Sequence, residues 1–320
     1  MRDRRQPPSW WPAARIAASL VMLALLLPRI DFGSVLPESH HARTLSYLGL
    51  GLVVTFGGLV LSAWRWQRVL VALDVNTGLG RLVSHYLAGQ FVGNFLPSTI
   101  GGDVVRVSRL SATAPGTAPF TSVVLERLTG WIVLPVLTLV GLLAQPGLLR
   151  LGVATSLAVA LSVGTLLLLA GVVAVAGSRR IAGRFAQREG WTRFIGAVHL
   201  GVGRLRRHPG AAAGVLMVAF VYQLSTVLVV YLATAALDLH LPLAAVLAFA
   251  PAVAIAQVLP LSLNGLGVRE GAFVLFLGPL GVGASEAIAV GLLVYAMTLA
   301  VSLLGAPAFA AGSRARALPA

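Results

Sequence analysis

Asn94-Phe-Leu-Pro-Ser-Thr-Ile-Gly-Gly-Asp-Val-Val-Arg106 and Gln257-Val-Leu-Pro-Leu-Ser-Leu-Asn-Gly-Leu-Gly-Val-Arg269 stand 163 residues apart and read in step. Each carries an amide, then Leu-Pro, a hydroxyl, a branched apolar residue, a glycine and an arginine. Both interrupt stretches that otherwise read as membrane helix, because proline removes a backbone donor and glycine weakens the helix. Paired breaks at corresponding places in two halves are the sequence mark of membrane proteins built from repeats, with a site at the breaks.

The surroundings fit. Hydrophobic residues make up 58% of the 320 and charged ones 11%, and the mean hydropathy of +0.89 excludes an ordinary water-soluble domain. The chain reads as a single all-α integral membrane domain over 1–320. Spans are expected at Ile16–Leu27, retained because no small-x-small cleavage site follows, at Leu45–Trp64, and at 120–143, 151–176, 211–235 and 285–311. Trp64-Arg65-Trp66 reads as an interfacial anchor closing the second. The stretches 82–110 and 243–279 are then two re-entrant helical hairpins broken at Pro97 and Pro260, since irregular backbone survives at membrane depth only where protein or a water-filled cavity satisfies it.

Six spans and two hairpins divide into halves, 1–145 and 146–320, of inverted topology. The arginines set the orientation. All 24 basic residues are Arg; with both termini cytoplasmic, most fall inside, and only Arg29, Arg43, Arg150 and Arg269 fall outside, with Arg127 at the membrane edge. The reading is a multi-pass protein of a bacterial-type cytoplasmic (inner) membrane. Between the halves, 177–210 forms a basic cytoplasmic interfacial segment whose Trp191, Phe194, Val198, Val202 and Leu205 follow helical spacing, as in a helix lying on the leaflet.

Composition also excludes chemistry. There is no Cys, hence no thiolate nucleophile or thiolate metal site, and the six His show no ligand spacing; no metal or cofactor is expected. The net charge of +14 is dispersed among apolar spans, which points to the anionic leaflet and not to nucleic acid.

Charges in an apolar layer are expensive and normally pair around a cavity. Here Asp103, Arg106, Glu126, Arg127, Arg269 and Glu270 qualify, three acids against three arginines. Asp103 and Arg106 meet at i,i+3, whereas the neighbours Glu126-Arg127 and Arg269-Glu270 are expected to point apart. Gly101 and Gly102 at a helix start, with Asn94, Ser98 or Thr99 and Arg106, make a cradle suited to phosphate, and Asn264, Gly265, Gly267 and Arg269 repeat it.

Asn94-Phe-Leu-Pro with Gly101-Gly102-Asp103 and Arg106, then Leu125-Glu126-Arg127-Leu128 with Gly130, then Asn264 to Gly271, together resemble the flippase-like membrane domain of the lysylphosphatidylglycerol synthase family over residues 12–311. The resemblance implies a membrane protein of lipid translocation or lipid-linked glycan pathways. Full-length synthases carry a soluble aminoacyl-transferase domain after the membrane part; the sequence ends at Ala320, so synthase activity is not expected.

The expectation is therefore a lipid transporter of flippase type. It would move a phospholipid or polyprenyl-phosphate-type lipid between leaflets, with Arg106 and Arg269 binding the headgroup in turn. The alternative is a membrane enzyme or enzyme subunit with Asp103 and Glu126 as acid and base, or a scaffold for a glycosyltransferase or lipid-modifying enzyme. The oligomeric state, the lipid and the energy coupling are left open by the sequence.

Overall fold

The computed structural model describes residues 41–95, 101–114, 116–178, 192–258 and 265–310, and among them every regular element is helical. The first expected span lies outside them, as does Trp191 of the basic segment. So do the centres of both breaks, with Pro97, Ser98, Thr99, Pro260 and Asn264.

The helices are α1 (His41–Ala72), α2 (Leu79–Phe95), α3 (Gly101–Leu110), α4 (Ala118–Ala144), α5 (Val153–Gly177), α6 (Thr192–Arg207), α7 (Pro209–Ala236), α8 (Leu243–Val258), α9 (Val268–Leu277) and α10 (Ala284–Leu303). Five of them, α1, α4, α5, α7 and α10, are long and apolar enough to cross a membrane. They take in five of the six spans read from sequence. Their outward faces carry residues such as Leu45, Leu143, Leu167 and Leu168, which suit lipid and would be anomalous in water.

One order of elements occurs twice. A long helix, a helix of about sixteen residues, a ten-residue helix and another long helix form α1 to α4, and again α7 to α10. Both opening helices end alike. Ala72-Leu73-Asp74-Val75 and Ala236-Leu237-Asp238-Leu239 place their aspartates in left-handed backbone, φ 62 and 58. Val75 N–H then donates to Leu70 O and Leu239 N–H to Thr234 O, each at 2.9 Å, closing the final turn as a Schellman-type cap does. Equal local chemistry thus gives an equal exit from each helix.

α1 and α7 pack extensively against each other. Gly58 faces Ser225 while Val69, toward the other end of α1, clusters with Val215; the two helices therefore run antiparallel. The ten-residue helices fold back on the helices before them. For α3 on α2, Gly93 meets Gly102 and Gly89 meets Arg106; a Cβ on Gly102 would stand 2.5 Å from the carbonyl oxygen of Gly89, a distance only two glycines permit. For α9 on α8, Phe276 stacks on Phe249 with ring centroids 5.4 Å apart.

Two expectations about the edges are corrected. α1 continues eight residues past Trp64, so Arg65 and Trp66 lie inside the protein at 4% and 0% exposure and are no interfacial anchor; Trp64 alone is exposed, with Arg68 over its ring. α6 forms where the basic segment shows helical spacing, but its Ala197 and Val198 are buried against α4 and α5 with Phe194 and Val202 beside them. Its apolar face is covered by protein, not by the leaflet, because this face meets apolar side chains such as Leu128 and Leu169.

Candidate functional site

The repeated segments build two charged clusters and one cavity. In the first cluster Glu126 of α4, 1% exposed, accepts from Arg65 Nη2 on Oε1 at 2.5 Å and from Tyr86 OH at 3.2 Å. Its other oxygen takes Arg106 Nη2. Arg106 also donates to Asp103 at 3.3 Å, and the second oxygen of Asp103 takes Arg127 Nε.

Aromatic rings close the cluster. The Arg106 guanidinium lies 4.0 Å from the Tyr86 ring centroid and 4.3 Å from that of Trp66, a doubly cation-π environment that favours arginine over lysine. Trp66 is fixed in turn by its indole N–H donating to Ser122 Oγ at 2.8 Å. Gly130 leaves room for Arg65, since a Cβ there would sit 3.0 Å from Nη1. The cluster thereby ties α1, α2, α3 and α4, and Arg65 reaches α7 by lying 4.9 Å from the ring of Tyr222.

The second cluster is smaller. Arg269, 5% exposed, and Glu270, 0% exposed, pair directly through Nε and Nη2 to Oε1 at 3.0 and 2.6 Å. Neighbours in sequence were expected to diverge; they do not, because Glu270 turns back to cap its own helix. Its Oε2 accepts the Gly267 N–H at 2.6 Å, placing negative charge at a helix start, and Arg269 curls onto the remaining oxygen. That Gly267 N–H is engaged and does not form the phosphate cradle read from the sequence. Gly101 and Gly102 likewise begin α3, and Gly102 packs against Gly89 and Gly93 of α2.

Between the clusters lies a cavity of about 320 Å³ walled by α1, α2, α7, α8, α9 and α10. Polar residues at the spacing of the two broken segments lie on its wall. Ser62 and Ser225 are 163 residues apart, as are Asn94 and Gln257, and all four line it. Tyr86, Gln90, Tyr222, Tyr295 and Thr298 add polar groups, and Arg269 enters the wall stacked 4.8 Å from the Tyr295 ring centroid.

Of the residues expected at the site, Asn94 and Arg269 face this cavity. Gly265 packs beside Gln257, and Glu270 is buried with Arg269. Arg106 and Glu126 meet behind Tyr86, with Asp103 and Arg127 beyond them; Arg127 exposes 44% of its side chain. Sequence reasoning missed Arg65, Ser62, Tyr86, Tyr222, Ser225 and Tyr295. A lone tyrosine or serine in an apolar helix is ordinary; only the 163-residue spacing of Ser62 and Ser225 carried a signal.

Among the described residues no group of three His, Asp or Glu is placed to hold a metal. Residues 13–305 match the family described as the lysylphosphatidylglycerol synthase TM region. No curated protein matches the chain.

Proposed function

The chain belongs to the family of the lysylphosphatidylglycerol synthase TM region, and on that premise we propose that it is a lipid transporter of flippase type. It carries a phosphate-bearing lipid headgroup across a bacterial cytoplasmic membrane, through the cavity between its two units, with both termini in the cytoplasm. One observation carries this reading: polar residues of both units, at the same spacing as the broken segments, line one cavity among the apolar helices. A substrate site shared between related halves suits alternating access.

The antiparallel packing of α1 on α7 supports an inverted repeat. The fold-back of α3 on α2 and of α9 on α8 supports re-entrant hairpins. Within this scheme Arg106 and Arg269 are counterparts in unlike states, Arg269 at the cavity wall and Arg106 sealed behind Tyr86 by Glu126. Rocking one unit on the other exchanges their roles.

Acid-base chemistry is disfavoured by the partners of its candidate residues. Glu126 is held by two arginines and Asp103 by two, so neither carboxylate stands ready to accept a substrate proton, and neither lines the cavity. The full chain in liposomes, offered a labelled anionic lipid on one leaflet, is expected to move it to the other leaflet chemically unchanged. A covalently altered lipid, formed only with Asp103 or Glu126 intact, would replace the transporter by the enzyme. Neither movement nor alteration, across several anionic lipids, would leave the scaffold.

A further inference from the structure

The two units are held together unevenly around the cavity. They meet most broadly where α1 lies on α7 and α4 on α8, and only narrowly where α10 passes α2. That narrow seam borders the cavity, since Tyr86, Gln90 and Asn94 of α2 and Tyr295, Thr298 and Val301 of α10 line it. Past Val301 the chain turns at Leu304 and continues as helix over 305–310, and this segment lies across the hairpin of the first unit. Gly305 crosses α2 so closely that a Cβ would stand 2.1 Å from the Leu87 carbonyl oxygen and 2.9 Å from the Cβ of Phe91. Phe309 packs on Phe91, ring centroids 6.2 Å apart. Arg109, at the end of α3, donates from Nη1 to Ala308 O and from Nη2 to Phe309 O, each at 3.0 Å, with its guanidinium 5.8 Å from the Phe309 ring centroid. A planar fork spans two successive carbonyls at once; an ammonium does not.

We infer that residues 305–310 are a strap that closes the cavity between α2 and α10, and that Arg109 is its latch. The transport reading supplies the purpose of such a gate, but the inference itself concerns access to the cavity. Where α4 meets α8, Gly141 approaches so near that a Cβ would stand 2.4 Å from the Ala248 nitrogen, and close-packed seams of this kind act as pivots because parting them forfeits many contacts together. The strap is different. Its bonds run to neutral carbonyls, and Phe309 is 39% exposed, so water can replace what release gives up. Movement about the broad seams therefore opens the narrow one, at the end of α10 that the proposed orientation places toward the cytoplasm.

The test reads access with the full chain in vesicles of both orientations, using Ser62→Cys on the cavity wall and a charged maleimide. In inside-out vesicles Arg109→Gln should raise the labelling rate about tenfold, the scale of one or two hydrogen bonds from a charged donor, and Gly305→Ala at least as much. Arg109→Lys, able to hold one carbonyl at a time, should fall between, and Leu304→Ala, 56% exposed on the same segment, should change nothing. In right-side-out vesicles none of these should exceed the rate of Ser62→Cys alone. A rise from both faces means general loosening and overturns the inference, as does no rise from the inside in either Arg109→Gln or Gly305→Ala.

A second measurement leaves Arg109 in place. Phe91→Cys and Phe309→Cys together, joined by a short reducible bis-thiol linker, fix the strap to α2. The yield of that link should drop in the Arg109→Gln background, and an undiminished yield would deny Arg109 its role as latch. With Arg109 intact, movement of a labelled anionic lipid should stop on linking and return on reduction; movement that persists in the linked protein overturns the gate while leaving transport standing. If no lipid moves before or after linking, the transport reading falls and the one-sided labelling alone decides the strap.

Discussion

Arg65 and Glu126, sixty-one residues apart, meet at 2.5 Å with their side chains 5% and 1% exposed. Glu126 is thereby shared by Arg65 and Arg106, and its removal leaves buried Arg65 without a carboxylate and Arg106 with Asp103 alone. Breaking a buried pair by deleting one partner typically costs about 3–5 kcal/mol. Glu126→Gln is accordingly expected to lower the unfolding midpoint of the detergent-solubilised protein more than Arg65→Met does, because Arg65→Met leaves Arg106 and Tyr86 on the carboxylate. Equal small shifts for both, comparable to a surface substitution, would mean that the cluster contributes no stability.

Arg106 has a different liability. Its guanidinium serves Glu126 and Asp103 through separate nitrogens and lies between two rings, and a lysine ammonium cannot reproduce that fork. Lipid movement in liposomes should fall about tenfold or less with Arg106→Lys and by well over tenfold with Arg106→Ala, a factor of ten being about 1.4 kcal/mol. Full activity in Arg106→Ala would remove Arg106 from the mechanism.

Gly102→Ala tests the fold-back of α3 on α2. The added Cβ would lie 2.5 Å from the Gly89 carbonyl oxygen, which is backbone and cannot turn aside. Forcing the helices apart is expected to cost about 1–3 kcal/mol, as overpacking does. At Gly271 of α9 a Cβ meets nothing within 4 Å, so Gly271→Ala should be neutral or stabilising by up to about 1 kcal/mol through helix propensity. Thermal unfolding of both variants checks the contrast, and equal behaviour would deny the close approach.

What the sequence made legible follows from the physics that writes it. Apolar runs of membrane length declare themselves, so α1, α4, α5, α7 and α10 were expected close to where they occur. The breaks were visible because Pro and Gly are local signals. Arg65 was misread because a cation between two tryptophans looks the same at a membrane edge as in a buried stack; only the continuation of α1 to Ala72 decides between them. The pairing of Arg269 with Glu270 was misread because side-chain directions on an ideal helix ignore a carboxylate turned back to cap its first turn. The cavity itself could not be read, since Tyr86, Tyr222 and Tyr295 come from three helices whose packing is set by long-range contact. The twin exits at Asp74 and Asp238 were present as Ala-Leu-Asp followed by a branched residue, and would have extended the repeat beyond the breaks.

Access to the cavity separates a two-sided transporter from a one-sided binding site. The natural chain has no Cys, so single cysteines report without background. Ser62 and Ser225 sit on the cavity wall from opposite units, and thiols placed there by Ser62→Cys and Ser225→Cys react with a charged maleimide only when water reaches them, because the thiolate is the reactive form. If the units rock about the cavity, each variant is labelled both in right-side-out and in inside-out vesicles, at rates that a saturating anionic lipid lowers on both sides. Leu167→Cys, on the lipid-facing side of α5 at 68% exposure, and Ser162→Cys, at 0%, should stay unlabelled in either orientation, the first for want of water and the second for want of access. Labelling of both cavity positions from one face only would mean that the wall opens to a single leaflet, and alternating access would have to be abandoned even if lipid still binds there.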